Sequence, residues 1–173
     1  MASSPLAVLS SARSYLDLTK PRLLPMVLFT GVPVFGMAAG GWPELGFGVL
    51  VLLGISLAAA SANTLNAYIE RDKDALMERT QSRPLPAGRL APGAALKFGL
   101  ALGVASTALL WAIAGSAAAG LGVASILFYV FVYTMWLKRS SSSNIVIGGA
   151  AGAAPVLIGW AAVTGDLAWA PFV

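Results

Sequence analysis

Residues 63–89 read NTLNAYIERDKDALMERTQSRPLPAGR. This stretch holds Glu70, Asp72, Asp74 and Glu78, four of the chain's seven acidic residues. It also holds Arg71, Lys73, Arg79, Arg83 and Arg89, five of its eleven basic ones. The sequence on either side is apolar and nearly free of charge. A dense polar cluster between oily segments is costly unless it lies at the water's edge or in a cavity, so chemistry is sought there first.

The chain has 173 residues, of which 58% are hydrophobic and 10% charged, with a mean hydropathy of +0.81. A soluble domain carries about 25% charged residues, so the composition is that of a membrane protein. There is no cysteine and no histidine, which excludes disulfides, the usual zinc sites and a histidine-based triad. The net charge of +4 does not argue for nucleic acid, because the charges follow a topological pattern. Residues 1–22 read as a polar, partly amphipathic cytoplasmic lead-in, with no apolar run of the kind a cleavable signal peptide needs.

Working outward from the cluster, the apolar segments predict an all-α, polytopic membrane helix bundle. Five spans are expected, at about 23–40, 45–68, 94–114, 117–137 and 144–164, with the start of a sixth in LAWAPFV at 167–173. The second span runs into the cluster without a breaker. A loop over about 75–93 follows, where Pro84, Pro86, Gly88, Pro92 and Gly93 stop any helix. Gly115-Ser116 is expected to turn the chain between the third and fourth spans. In this arrangement all eleven Lys and Arg fall on the N-terminal side of the membrane, which the positive-inside bias makes cytoplasmic. The glycine- and alanine-rich helices, with GGAAGAA at 148–154, suit close helix packing or room for a bulky ligand.

If the second helix continues to about residue 77, Asn66, Glu70 and Asp74 recur at i, i+4 and i+8. They then stack on one face about 6 Å apart per step, and Asn63 extends the stripe by a turn. An amide and two carboxylates in line suit a hard cation such as magnesium, which shares its other positions with substrate phosphates and water. Lys73, Arg79 and Arg83 are near enough in sequence to reach a phosphate; Asp72 points away. The cluster reads either as a magnesium–diphosphate site at the cytoplasmic mouth of the bundle or as charges that solvate a helix end. Asn63 and Asn66 favour the first reading, since amides that far up the span are costly to leave exposed.

Asn66-x-x-x-Glu70-x-x-x-Asp74 resembles the first aspartate-rich motif of the UbiA superfamily of intramembrane prenyltransferases, whose generic form has Asp in the middle position. LTKPR at 18–22, ALMERTQSRPLPAGR at 75–89, YTMWLKR at 133–139 and NIVIGGAAGAAPVLIGWAAVTG at 144–165 are similar to the protohaem IX farnesyltransferase (haem O synthase) branch. The resemblance covers nearly the whole chain. Departures are Glu70 itself, Pro155-Val156 in place of Pro-Pro, and the serine run 140–143 after the lysine–arginine pair.

The resemblance implies the first part of a nine-helix fold, with residues 23–173 a partial transmembrane prenyltransferase domain and a metal–diphosphate loop at about 66–93. A second aspartate-rich motif belongs to that fold and is not found here, so 173 residues alone are expected to be inactive. The implied reaction transfers a farnesyl group from farnesyl diphosphate to a vinyl group of haem b, giving haem O for haem A and cytochrome oxidase biogenesis. Carried over by position, Asn66, Glu70 and Asp74 would hold Mg2+. Arg83, Lys138 and Arg139 would contact diphosphate or haem propionates, with Lys20 and Arg22 behind them. The bilayer is implied as surroundings: the inner (plasma) membrane of a bacterium, or the mitochondrial inner membrane of a eukaryote. The downstream haem A synthase is an implied partner.

Without the resemblance, Lys138-Arg139 reads equally well as a topology anchor. Tyr129, Tyr133 and Trp136 read as aromatic belt or packing. Two alternatives remain: a prenyltransferase for a quinone-type aromatic acceptor, against which 144–165 argues, and a non-catalytic transporter-like segment. The latter would show inverted repeats or polar residues at mid-membrane, and the sequence shows neither.

Overall fold

The computed structural model of the protein describes residues 5–138 and 152–166. Helix α1 (Pro5–Leu18) leads into a left-handed turn at Lys20 (φ 53°, ψ 62°) and one 3-10 turn at Pro21–Leu23. Helix α2 (Leu24–Ala39) follows, with Pro33 inside it, and stops where Gly40 takes a positive φ of 62°. Helix α3 (Leu45–Ala75) is 31 residues long. Residues 76–91 form consecutive turns, as their proline and glycine content requires. Helix α4 (Pro92–Leu127) passes without a gap into a π-helical segment, Phe128–Leu137. The last described helix, α5 (Ala154–Thr164), ends at Gly165 in a left-handed conformation.

The 46 residues from Pro92 to Leu137 would make a rod far longer than a bilayer is thick, but they do not form one. At Gly115 the backbone leaves helical space (φ 81°, ψ −176°), a conformation open to glycine and costly for any residue with a Cβ. Beyond it the chain doubles back. A Cβ at Gly122 would lie 3.0 Å from Leu110, and one at Gly103 would lie 3.7 Å from Ile126. The two arms, 92–114 and 116–137, therefore pack antiparallel, and the break falls where Gly115-Ser116 predicts it.

Small residues set the distance between α3 and the first arm of α4. A Cβ on Gly54 would sit 2.6 Å from Leu110 Cδ2, and one on Gly99 would sit 2.9 Å from Leu65. The contact is tied reciprocally: Ser61 Oγ of α3 donates to the carbonyl of Gly99 (2.8 Å), and Ser106 Oγ of α4 donates to that of Gly54 (2.7 Å). In lipid, where apolar surface gives helices little reason to associate, close packing and such bonds supply the attraction. One apolar core gathers Phe35, Val51, Ile55, Leu110, Ala118 and Ile158 from α2, α3, both arms of α4 and α5. A second, of Leu18, Ala67, Leu85, Leu90 and Ala95, seats the end of α1 and the 76–91 turns against α3 and α4.

Large apolar side chains also face outward, among them Met26, Phe29, Trp42, Leu45, Val104 and Trp111. That surface suits hydrocarbon, and three helical stretches, Pro21–Ala39, Leu45–Ala75 and Pro92–Leu137, are long and apolar enough to cross a membrane. Two expected boundaries shift. Helix α3 ends at Ala75 instead of about 77, because Leu76 N–H closes onto Lys73 O at i−3. The apolar run from 144 is not a single helix through its described part: α5 starts at Ala154, since Pro155 has no N–H to continue an incoming helix and suits the first turn of a new one. Residues 144–151 and the expected sixth span at 167–173 lie outside the described residues.

Candidate functional site

Helix α3 measures about 46 Å at 1.5 Å per residue, against an apolar slab about 30 Å thick. About twenty residues from Leu45 cross that slab, so Asn66, Glu70 and Asp74 sit at its rim or past it. All three are buried, at 2%, 7% and 6% exposure. Burial of an ionised carboxylate is costly unless it is paired, and each of these is.

The pairing groups come from three other segments. Lys20, from the turn after α1, donates from Nζ to Asn66 Oδ1 at 3.0 Å. Lys138, just past the π-helical segment, meets Glu70 Oε2 at 2.7 Å. Arg83, from the 76–91 turns, meets Asp74 Oδ2 at 2.7 Å. Within the stripe Asn66 Nδ2 donates to Glu70 Oε2 at 3.0 Å. Asn63 Nδ2 donates to the carbonyl of Thr19 at 3.2 Å, which holds the Lys20 turn in place. Thr80 Oγ1 donates to the carbonyl of Asp74 at 2.8 Å, drawing the 76–91 turns over the end of α3.

Lys20 is the one non-glycine residue with positive φ among those described, a conformation that costs roughly 1–2 kcal/mol for an L-residue. Burial, chiefly, lowers its pKa from 10.5 to about 8; the Arg83 and Lys138 charges push the same way, while Glu70 and Asp74 pull back. A strained lysine whose ammonium is made easier to lose by burial is a group shaped by its site.

Of the expected phosphate contacts, Lys20, Arg83 and Lys138 are brought to the stripe. Arg22 is exposed and lines a polar cleft of about 420 Å3 with Lys20, Arg83, Arg89, Asp17 and Asp74. Arg139 lies outside the described residues, as does the serine run 140–143. Lys73 and Arg79 depart from expectation: both are exposed, and the described ion pairs do not include them. Their side chains leave α3 and the turn on other faces, which closeness in sequence does not report. Asp72 does point away, 83% exposed and 3.6 Å from Arg71, and Arg71 is held over the Tyr68 ring.

Sequence reasoning missed Thr134 and Thr80. Thr134 is 1% exposed and accepts from Asn66 Nδ2 at 3.1 Å. Its signal was present: Thr134 and Lys138 stand four apart in an apolar run and so share a helix face.

The donor set can be matched to a metal. Among the described residues no cluster of three or more acidic, His or Cys side chains exists, so no cage enclosed by protein is offered. Glu70 and Asp74 are two hard-oxygen carboxylates one turn apart, and the described bonds converge on a single oxygen of each. That fits magnesium, which takes one or two carboxylates and completes its shell with phosphate and water. Asn63 and Tyr129 also line an apolar cavity of about 300 Å3, together with Met26, Ile55, Ala58 and Ile158. Polar mouth and apolar chamber together suit an ionic head on an oily tail.

Comparison with known proteins identifies the family. The profile of the UbiA prenyltransferase family matches residues 26–173. The chain is 52% identical over 168 residues to the protoheme IX farnesyltransferase of Clavibacter michiganensis subsp. michiganensis, a match covering 97% of this chain and 55% of that one. It is 53% identical over 161 residues to the protein of the same name from Symbiobacterium thermophilum, covering 93% and 54%. The chain thus spans about half the length of these relatives. A solved structure described as "Structural and mechanistic insights into the biosynthesis of Digeranylgeranylglyceryl phosphate synthase in membranes" is similar with a TM-score of 0.78. That likeness covers 88% of this chain and 53% of the other at 22% identity, and it concerns the fold alone.

Proposed function

Since the chain belongs to the UbiA prenyltransferase family and is a multi-pass membrane protein, we propose that it carries out farnesyl transfer from farnesyl diphosphate to a vinyl group of haem b, giving haem O. The observation that carries this reading is the convergence of Lys20, Arg83 and Lys138 on the buried Asn66–Glu70–Asp74 stripe. The relatives' shared name supports the choice of prenyl donor and acceptor.

The slow step in such a reaction is departure of diphosphate. The allylic carbon–oxygen bond breaks with both electrons going to oxygen, leaving an allylic cation. Preorganised positive charge at the leaving group lowers that barrier most. Lys20, Arg83 and Lys138 would receive the diphosphate oxygens, and Glu70 and Asp74 would hold magnesium. When bound, the metal would supply Lewis-acid stabilisation of the charge growing on the leaving group. The apolar cavity would house the prenyl chain and shield the cation from water until the acceptor's vinyl electrons close the new carbon–carbon bond. The positive charge that this leaves on the other vinyl carbon is then quenched by a water molecule, which loses a proton to solvent as the hydroxyl forms. In the resting arrangement Arg83 and Lys138 are held by the carboxylates of Asp74 and Glu70 and Lys20 by the Asn66 amide, so the three cations outnumber the two carboxylates before an anion arrives.

The N-terminus and the 76–91 turns face the cytoplasm, in the plasma membrane of a bacterium or the mitochondrial inner membrane of a eukaryote. Haem O would pass to haem A synthase. The test uses the full-length protein in lipid nanodiscs with farnesyl diphosphate, magnesium and either haem b or an aromatic hydroxy acid. A farnesylated haem product, lost on chelation of the metal, is expected by mass spectrometry. A product on the aromatic acid alone would replace the reading with the quinone-type alternative.

A further inference from the structure

The side-chain amide of Asn66 has three described partners, and each admits one sense of bond. Lys20 Nζ, 3.0 Å from Oδ1, can only donate. Glu70 Oε2, 3.0 Å from Nδ2, already receives the Lys138 ammonium and can only accept. Thr134 Oγ1, 3.1 Å from Nδ2, is a hydroxyl and could act either way. Its single proton goes to the carbonyl of Tyr129, 2.8 Å away and five residues back. That carbonyl is the one a residue in the π-helical register of Phe128–Leu137 faces. Toward Asn66, then, Thr134 offers only lone pairs.

We infer that Thr134 is a positioning residue: its hydroxyl locks the Asn66 amide with the NH2 toward Glu70 and the oxygen toward Lys20. Asn66 thereby holds Glu70 through Oε2, beside the Lys138 ammonium, which leaves Oε1 as the oxygen to offer a ligand; Asn66 is not itself an oxygen ligand beside that carboxylate. Turning the amide over would set Oδ1 against the Glu70 oxygen and the Thr134 lone pairs, and NH2 against the Lys20 ammonium. Three bonds would become three repulsions. Thr134 is itself 1% exposed and acts through Asn66. The consequence for ligand binding rests on the metal–diphosphate reading of the site; the orientation of the amide does not.

Two variants separate this role from packing. Thr134→Val keeps the shape and removes the hydroxyl, whereas Thr134→Ser keeps the hydroxyl and removes a methyl. Full-length protein in nanodiscs, labelled at asparagine side-chain nitrogens, reports hydrogen exchange of the Asn66 amide, assigned by its loss in Asn66→Asp. Exchange should be slow in wild type and Thr134→Ser, and about tenfold or more faster in Thr134→Val, as expected for loss of one buried bond. Calorimetric titration with inorganic diphosphate and magnesium should show affinity about tenfold weaker in Thr134→Val and within about twofold of wild type in Thr134→Ser.

A packing role would reverse that order, because serine leaves a methyl-sized void that valine fills. Wild-type exchange in Thr134→Val, or a serine variant as impaired as the valine one, overturns the inference. Should Thr134→Val not fold, the contrast between Thr134→Ala and Thr134→Ser carries the same decision. If wild type binds no magnesium diphosphate while the exchange pattern holds, the functional reading falls and the amide lock stands.

Discussion

Replacing Asp74 by Asn removes one charge and almost no volume, so its two consequences can be estimated separately. For stability, the Arg83 Nη1 to Asp74 Oδ2 contact of 2.7 Å is a charge-assisted bond, with Asp74 8% and Arg83 36% exposed in their side chains. Such bonds contribute about 1.5–3 kcal/mol, and a neutral one about 1 kcal/mol. Asn can still accept from Arg83, and the half-open guanidinium is partly solvated, so the net cost is about 1 kcal/mol. That corresponds to a fall in Tm of about 2–4 °C for a chain of this size. For activity, a neutral amide cannot replace a carboxylate on a divalent cation. Losing one preorganised charge contact at a leaving group costs about 10²–10³ in rate. Asp74→Asn should therefore lose about two orders of magnitude or more in kcat/KM, with a raised magnesium requirement, while melting only a few degrees lower. Farnesyl transfer to haem b, measured over a magnesium titration in nanodiscs beside a thermal melt, reads both. Near-wild-type kcat/KM with unchanged magnesium dependence would refute the assignment of Asp74 to the metal. A fall in activity matched by collapse of the fold would show that the carboxylate serves structure.

The depressed pKa of Lys20, about 8 against 10.5 when free, gives a pH dependence of definite sign. Between these values the unfolded chain binds more protons than the folded one, so this residue's contribution to stability improves as pH rises from about 8 toward 10.5. Diphosphate binding should move the opposite way, weakening as pH rises through about 8 and the ammonium is lost; Lys20→Arg should flatten that step in a calorimetric pH series. In the helix contact, Gly54→Ala would drive a Cβ to 2.6 Å from Leu110 Cδ2, and Leu110 is fully buried with no room to yield. It should cost about 1–3 kcal/mol in a thermal melt. Gly120→Ala, which meets nothing within 4 Å, should be neutral or stabilise by up to about 1 kcal/mol.

Much of this was legible in the sequence because it depends on local periodicity and on solvent. The stacking of Asn66, Glu70 and Asp74 follows from 3.6 residues per turn. The break at Gly115 follows from what only glycine tolerates, and the burial of long apolar runs in lipid follows from composition. The cations were less legible. Arg83 lies nine residues from Asp74, near enough for the sequence to suggest the pair, whereas Lys73 and Arg79, nearer still, leave on other faces. Lys20 stood behind the other candidates because a lysine 46 residues from Asn66 carries no local sign of its left-handed turn. Thr134, 68 residues away, was read as part of an apolar run.

By itself the sequence determined that this is a helical membrane protein with one polar stripe at the end of its longest uninterrupted helix. Residue type and helical repeat suffice for that. Only the tertiary structure decided which cations meet which carboxylates, and which way the Asn66 amide turns. Those outcomes depend on how closely α3 and α4 approach across Gly54, Gly99 and the two serine bonds. They depend as well on how the turns at 19–20 and 76–91 fold back over the end of α3. Both are distances between segments remote in the chain, and no repeat within a helix encodes them.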